Sequence, residues 1–202
     1  MGLPIAPASV VWEESLAGDL AGDPSLPTPL AFSLGNNIVK GRMTASAPSD
    51  IRDYLTFEIG VGEMLVAIRQ LFYTDESGNP GNRGFHALIA GTTSFIPAAE
   101  NIANFLGSSH LDSLAPGADL LEGLGLAPTG GQGFSSPLGA GTYTYVIQQT
   151  GQNVNLYSLD FEVVPEPTTL ALAVVAGMAT LVFLRSQCSK NSTNHTSPET
   201  RT

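Results

Sequence analysis

The longest apolar run of the chain, Leu170–Leu184, contains no charged residue and a single polar one, Thr180. As an α-helix it would extend about 22 Å, somewhat less than the roughly 30 Å hydrocarbon core of a bilayer. A run of this length is also compatible with a buried core helix. It is apolar on every side, however, whereas a terminal helix of a small domain needs a polar stripe facing water. The sequence therefore favours a membrane segment.

The distribution of basic residues predicts which side of the membrane each part occupies. No lysine or arginine occurs from Gly84 to Leu184, and Arg185 follows the apolar run directly. Lysine and arginine concentrate on the cytoplasmic side of membrane segments. We therefore expect the main part of the chain to lie outside the cytoplasm, anchored by the apolar helix. The net charge of −10 excludes a nucleic-acid-binding protein, which needs a basic surface.

A short segment with two prolines precedes the apolar run. Its sequence is Val164-Pro165-Glu166-Pro167, and the prolines oppose both strand pairing and helix propagation. Pro-Glu-Pro, two threonines, a short apolar helix and an arginine in this order resemble the PEP-CTERM protein-sorting signal of Gram-negative bacteria. In this resemblance Pro165, Glu166 and Pro167 are the recognition tripeptide. Leu170–Leu184 is the membrane segment, and Arg185 is the basic stop.

The resemblance implies export and transient membrane anchoring. It also implies processing near the tripeptide by an exosortase-type enzyme, with release to the cell surface or extracellular matrix as an outcome. Two features depart from the family pattern. Only Arg185 stands directly after the apolar run, whereas the family usually has several clustered basic residues, and a polar tail, Ser186–Thr202, follows.

The N-terminal residues do not fit an exported protein. A secretory leader needs a basic segment followed by an apolar one, but Met1–Val11 has no basic residue and is interrupted by Pro4 and Pro7. We therefore expect the reading frame to begin upstream, or a leader to have been lost.

The region between the two ends has the pattern of an all-β domain. Asn155–Val163 alternates, which places Tyr157, Leu159, Phe161 and Val163 on one face of a strand. Thr142–Gln149 precedes it across a turn, Thr150–Asn153, and we expect these two strands to form a hairpin. Further strands are predicted at Ile38–Thr44, Tyr54–Ile59 (with Leu55, Phe57 and Ile59 inward), Leu65–Tyr73 and Phe85–Ala90.

Short strands between glycine- and proline-rich turns favour a β-sandwich, jelly-roll-like, followed by a single C-terminal apolar helix. We expect one short helix at Ala98–Phe105 and a long surface loop at Leu114–Pro137. The predicted organisation is an unstructured N-terminus (1–9), the β-sandwich (10–163), the sorting signal with its transmembrane helix (164–185) and a disordered tail (186–202).

Three short segments of this region resemble secreted bacterial domains of the pre-peptidase C-terminal type. They are Glu13–Leu20, Asp53–Phe57 and Leu138–Tyr143. The resemblance implies an accessory or adhesive module rather than a catalyst.

Residues for catalysis are sparse. The histidines His86, His110 and His195 are scattered, and neither Gly-x-Ser-x-Gly nor His-Glu-x-x-His nor a phosphate-binding loop occurs. Ser108 and Ser109 precede His110, but adjacent residues of a strand point to opposite faces. We therefore expect a non-enzymatic structural or binding module, with exopolysaccharide or other envelope components as partners. The alternative is an exported hydrolase with its site in Leu114–Pro137 or around His110.

Several acidic residues fall near predicted turns, where loop carboxylates of exported domains can bind calcium. They are Asp19, Asp23, Asp50, Asp53, Asp75 and Glu76. No segment has the regular spacing of a calcium loop. The simpler interpretation is a solvated acidic surface with no cofactor, and Ca²⁺ binding is the alternative.

Overall fold

The computed structural model describes residues 8–44, 51–75, 83–92, 102–111, 116–151 and 153–167. The chain divides into two compact units between Val164 and Pro165, and only residues 165–167 of the second are described. The strands of the first unit are β1 (Ser9–Glu13), β2 (Thr28–Pro29), β3 (Gly35–Thr44), β4 (Arg52–Ile59), β5 (Glu63–Asp75), β6 (Gly84–Ala90), β7 (Gly107–Leu111), β8 (Ala118–Asp119), β9 (Gly141–Gln149) and β10 (Val154–Pro165). Helical segments are α1 (Glu14–Ala17), a 3₁₀ turn (Ile102–Asn104) and α2 (Leu121–Gly125).

The strands form two five-stranded sheets, which confirms the all-β prediction. Sheet I has the order β1-β3-β10-β5-β8, and sheet II has the order β2-β4-β9-β6-β7. β3 with β10, β4 with β9, β9 with β6, and β6 with β7 are antiparallel. The edge strands β1 and β2 instead lie parallel to β3 and β4. Most consecutive strands therefore lie in different sheets, and β6 with β7 is the exception among the described neighbours.

The main apolar core lies between the sheets. The predicted inward residues of β4 and β10 are all buried in it, which confirms their inward placement. Three residues on the opposite faces of these strands are buried as well: Tyr54, Ser158 and Asp160. Phe161 of sheet I contacts Phe57 of sheet II with ring centroids 5.5 Å apart, and its ring meets Tyr145 edge-on at 5.4 Å. Aromatic rings prefer such tilted and edge-to-face contacts. These contacts hold the two sheets face to face.

The hairpin prediction for the last two strands is wrong. β9 lies in sheet II, between β4 and β6, whereas β10 lies in sheet I beside β3. A turn sequence specifies that the chain reverses. It does not specify whether the next strand pairs with the preceding strand or crosses the core to the other sheet. Here the side chains link the two strands instead, because the Asn155 amide donates to the side-chain carbonyl of Gln149.

The prediction of a surface loop at Leu114–Pro137 is also wrong. Residues 116–137 contain β8 and α2, and Leu120, Leu121 and Leu124 are buried in the main core. Their spacing puts Leu120 and Leu124 on one face of a helical turn. That turn is so short that the surrounding glycines and prolines obscured the pattern in the sequence.

Other predicted elements are confirmed or lie outside the described residues. The strands expected at Ile38–Thr44, Tyr54–Ile59, Leu65–Tyr73 and Phe85–Ala90 are β3, β4, β5 and β6. Of the short helix expected at Ala98–Phe105, the described part contains only the 3₁₀ turn. Residues 1–7, the apolar run Leu170–Leu184, Arg185 and the tail lie outside the described ranges. Within those ranges, no helix has the length and apolarity to cross a bilayer.

Candidate functional site

A cleft of about 500 Å³ opens beside the edge of sheet I. It is built where α1 follows β1, because β1 runs parallel to β3 with Glu13 opposite Lys40. This register places the start of α1 against the second half of β3. Residues of four strands and of the α1 segment line the cleft: Glu13–Ser15, Asp19, Lys40–Arg42, Phe72, Leu156 and Tyr157.

Tyr157 and Gly41 form the part of the cleft nearest the core. They are direct partners on β10 and β3, and the phenol ring occupies the space that a Cβ at position 41 would need. Only glycine therefore allows the fully buried Tyr157 ring to lie across β3. The Tyr157 hydroxyl reaches the opposite sheet, where it donates to Oδ2 of Asp53 at 2.7 Å.

The environment keeps this phenol protonated. Burial raises the pKa of Tyr157 well above its ordinary value, and the negative charges of Asp53, Glu14 and Asp19 raise it further. At neutral pH the hydroxyl is therefore a hydrogen-bond donor that ties β10 to β4 across the end of the core.

Three carboxylates converge next to this hydroxyl. The nearest oxygens of Glu14, Asp19 and Asp53 lie within 4.8 Å of one another. Glu14 also holds the backbone together: its Oε1 accepts from the amide of Leu20 at 3.0 Å, and its Oε2 accepts from the amide of Arg42 at 2.6 Å. Each carboxylate oxygen has two acceptor sites, so the group can accept further hydroxyl donors or coordinate a hard cation.

The outer part of the cleft combines an ion pair with apolar surface. Lys40 Nζ donates to Oε2 of Glu13 at 3.0 Å, and Ser15 Oγ donates to Oε1 at 3.1 Å. The hydrogen bond from Lys40, followed by that from Ser15, lowers the pKa of Glu13. Phe72 leaves 42% of its surface exposed, and Leu156 is half-buried opposite Arg42 on β3.

The structure brings together two of the acidic residues that the sequence singled out. Asp19 and Asp53 meet in the cluster, together with Glu14, which the sequence analysis did not select as a ligand. Asp23 lies in a separate turn and accepts from the amide and hydroxyl of Ser25. Asp50 and Glu76 lie outside the described residues, and of Asp75 only the backbone, at the end of β5, is described.

The convergence of Glu14 and Tyr157 could not be read from spacing, because it depends on the parallel pairing of β1 and on the crossing of β10 to sheet I. The sequence contained only a weak signal. The Tyr157 ring needs a small residue where it crosses the neighbouring strand, and Gly41 is that residue.

Of the two described histidines, His86 is held by packing. His86 is buried, its Nδ1 is hydrogen-bonded to the Tyr145 hydroxyl at 2.6 Å, and burial, with a smaller effect of the His110 charge, lowers its pKa to about 3. His110 is exposed on β7 and lies edge-on to Phe85. The Ser108 hydroxyl donates to the carbonyl of Gly130 at 2.8 Å and is also hydrogen-bonded to Thr129. These contacts give structural roles to His86 and Ser108.

The sorting tripeptide stands at the end of β10. Pro165 is the last residue of that strand, Pro165 and Glu166 are half-buried, and Pro167 is exposed. Leu170, Leu184 and Arg185 lie outside the described residues.

Comparison with known proteins adds no family to this description. No protein-family model matches the chain, and no curated protein matches it significantly. The resemblance to a sorting signal therefore depends on Pro165–Pro167 and on the residues that follow them.

Proposed function

We propose that this chain is a non-enzymatic exported protein that a C-terminal sorting signal directs to the cell envelope. Membrane anchoring through the C-terminal helix is followed by processing by an exosortase-type enzyme and release to the surface or extracellular matrix. The observation that carries this proposal is the order of three features: Pro165–Pro167, the apolar run Leu170–Leu184 and Arg185. Their order and spacing match a signal that presents a tripeptide outside the membrane.

The end of the β domain supports this proposal. Strand β10 ends at Pro165, and the chain divides into its two compact units between Val164 and Pro165. Among the residues that the structure describes, Val163 is the last that is fully buried; Val164–Glu166 are half-buried and Pro167 is exposed. A processing enzyme that reads the tripeptide would thus not need to unfold the core.

We further propose that the domain is a jelly roll acting as a structural or binding module. The orders β3-β10-β5-β8 and β4-β9-β6-β7 are the strand orders of an eight-stranded double Greek key, with β1 and β2 added at the edges. The Ser108 hydroxyl, near His110 in the sequence, is hydrogen-bonded to Gly130 and Thr129, which supports binding over hydrolysis. Exopolysaccharide or other envelope components are the proposed partners.

Fractionation of the native host tests the sorting proposal. The variant changes Pro165, Glu166 and Pro167 to alanine, and Glu58→Ala, an exposed acidic site on β4, is the matched control. We expect the wild type and the control to reach the surface or medium, and the triple variant to accumulate uncleaved in the membrane. Identical location and mass of all three proteins would overturn the proposal.

A second, narrower proposal is that the domain binds Ca²⁺ through Glu14, Asp19 and Asp53. The supporting observation is that these oxygens converge within 4.8 Å from α1, the following loop and β4. Calcium prefers such oxygen ligands, and binding to the folded state alone raises stability, by about 2.7 kcal/mol at 100 times the Kd.

Thermal melting with calcium and with chelator tests this second proposal. We expect calcium to raise the melting temperature of the wild type and of Asp23→Asn, whose carboxylate lies in a separate turn. Asp19→Asn should remove the increase. Identical melting curves of the wild type with calcium and with chelator would contradict the proposal of a calcium site.

A further inference from the structure

We infer that the cleft beside sheet I binds a neutral polysaccharide, with a sugar ring packed on Phe72 and its hydroxyls hydrogen-bonded to the charged side of the cleft. The inference rests on the proposed function of the domain as an extracellular binding module, and it assigns that function a site and a ligand class.

The apolar side of the cleft provides a surface for a sugar ring. Phe72 and Leu156 line the cleft. Phe72 is 42% exposed, whereas the next residue of β5, Tyr73, points the other way and is buried. Ligand sites are concave and are lined mainly by apolar and aromatic side chains. The C–H groups on one face of a pyranose ring are apolar and carry a small positive charge, which suits the negative face of an aromatic ring.

The polar side of the cleft contains both donors and acceptors. Glu13, Glu14 and Asp19 present carboxylates, whereas Lys40 and Arg42 present N–H groups. Each sugar hydroxyl both donates and accepts, so a polyol can use the two kinds of group together. Hydrogen bonds to charged groups are roughly twice as strong as neutral ones.

The balance of charges selects against an anionic ligand. Three acidic and two basic side chains line the cleft, so an anionic polymer meets more carboxylates than basic groups. Like charges placed against each other cost several kcal/mol. A neutral ligand avoids this repulsion.

The cleft is also open to solvent. Ser15, Asp19 and Arg42 are exposed at its rim, and its volume of about 500 Å³ lies within the range of ligand sites, roughly 300–1,000 Å³. An open cleft of this size admits a few sugar units from within a long chain, and does not require a free end.

Affinity electrophoresis tests the inference directly. The full-length chain, in a detergent without a sugar headgroup, is run through native gels that contain dextran, soluble β-1,3-glucan, mannan, galactan or the anionic polymer alginate. We expect at least one neutral polymer to slow the protein. Phe72→Ala should weaken that binding at least tenfold, and Asp19→Asn should weaken it severalfold.

The matched control is Leu126→Ala, which truncates a more exposed apolar residue remote from the cleft lining; its mobility should equal that of the wild type. Failure of all neutral polymers to slow the protein, stronger retardation by alginate, or unchanged binding by Phe72→Ala would overturn the inference. The alanine triple variant at Pro165–Pro167 separates the two proposals, because it should bind as the wild type does. A protein that is sorted correctly but binds no polymer overturns this inference alone.

Discussion

Individual glycines and tyrosines determine how the two sheets fit together. The rings of Tyr157 and Tyr73 occupy the spaces that a Cβ would need at Gly41 and Gly84. The inward positions of Leu55 and Phe161 could be predicted from alternation, because each side chain is apolar and lies on the apolar face of its own strand. The role of Gly41 could not, because it depends on which residue of β10 is placed opposite.

Substitution of Gly41 by alanine tests this packing. The added Cβ collides with the buried Tyr157 ring, so we expect a loss of about 1–3 kcal/mol in the free energy of unfolding, as for other overpacked cores. Gly123→Ala is the matched control: Gly123 lies within α2 with open space around it, and alanine should stabilise that turn by about 0.5–1 kcal/mol. Urea denaturation measures both, and equal stability of Gly41→Ala and the wild type would refute the packing described.

His86 makes stability depend on pH. Its pKa falls from 6.5 to about 3 on folding, so below pH 6.5 the unfolded chain binds a proton that the folded chain does not. The contribution of His86 is therefore complete above pH 6.5 and is lost as pH falls towards 3, at up to about 1.4 kcal/mol per pH unit.

The comparison of His86→Gln with the wild type isolates this effect from that of the carboxylates. The difference in unfolding free energy between the two proteins should change as pH falls from 6.5 to 3. His110→Gln, at an exposed position of β7, is the control: its free energy of unfolding should vary with pH nearly as that of the wild type does. A constant difference between His86→Gln and the wild type across that range would contradict the buried neutral histidine.

At the scale of elements, the sequence pattern located the strands but not their partners. β3, β4, β5, β6, β9 and β10 all coincide with segments predicted from the sequence. Alternation located β4 and β10, and strand-forming residues between turns located the others. Pairing depends on contacts between segments far apart in the chain, so β9 and β10 were wrongly joined. The short elements were not predicted for a different reason. The two residues of β8 and the four of α1 are too few to show a period.

The α2 segment gives the sharpest test at this scale. Leu124 is fully buried in the main core, whereas Leu126, just beyond α2, is 80% exposed. We expect Leu124→Ala to lower the free energy of unfolding by about 2–5 kcal/mol, and Leu126→Ala to change it by no more than about 0.5 kcal/mol. Thermal or urea unfolding measures the pair, and two equally small effects would restore the interpretation of this segment as a surface loop.

At the scale of the whole molecule, charge is divided along the chain. Sixteen of the 18 acidic residues lie in residues 1–163, whereas three of the eight basic residues follow the apolar run. Only part of the candidate site could be predicted from the distribution of charged residues. Asp19 and Asp53 could be selected as acidic residues near turns, but Glu14, Phe72 and Tyr157 join them only after the sheets assemble.

The mass of the C-terminal peptide of the protein purified from its native host tests the central claim most directly. Proteolysis followed by mass spectrometry identifies the last residue of the mature chain. The sorting proposal predicts a C-terminus close to Pro167, with Arg185 and the tail after it removed. A mature protein at the cell surface that still ends at Thr202 would contradict it.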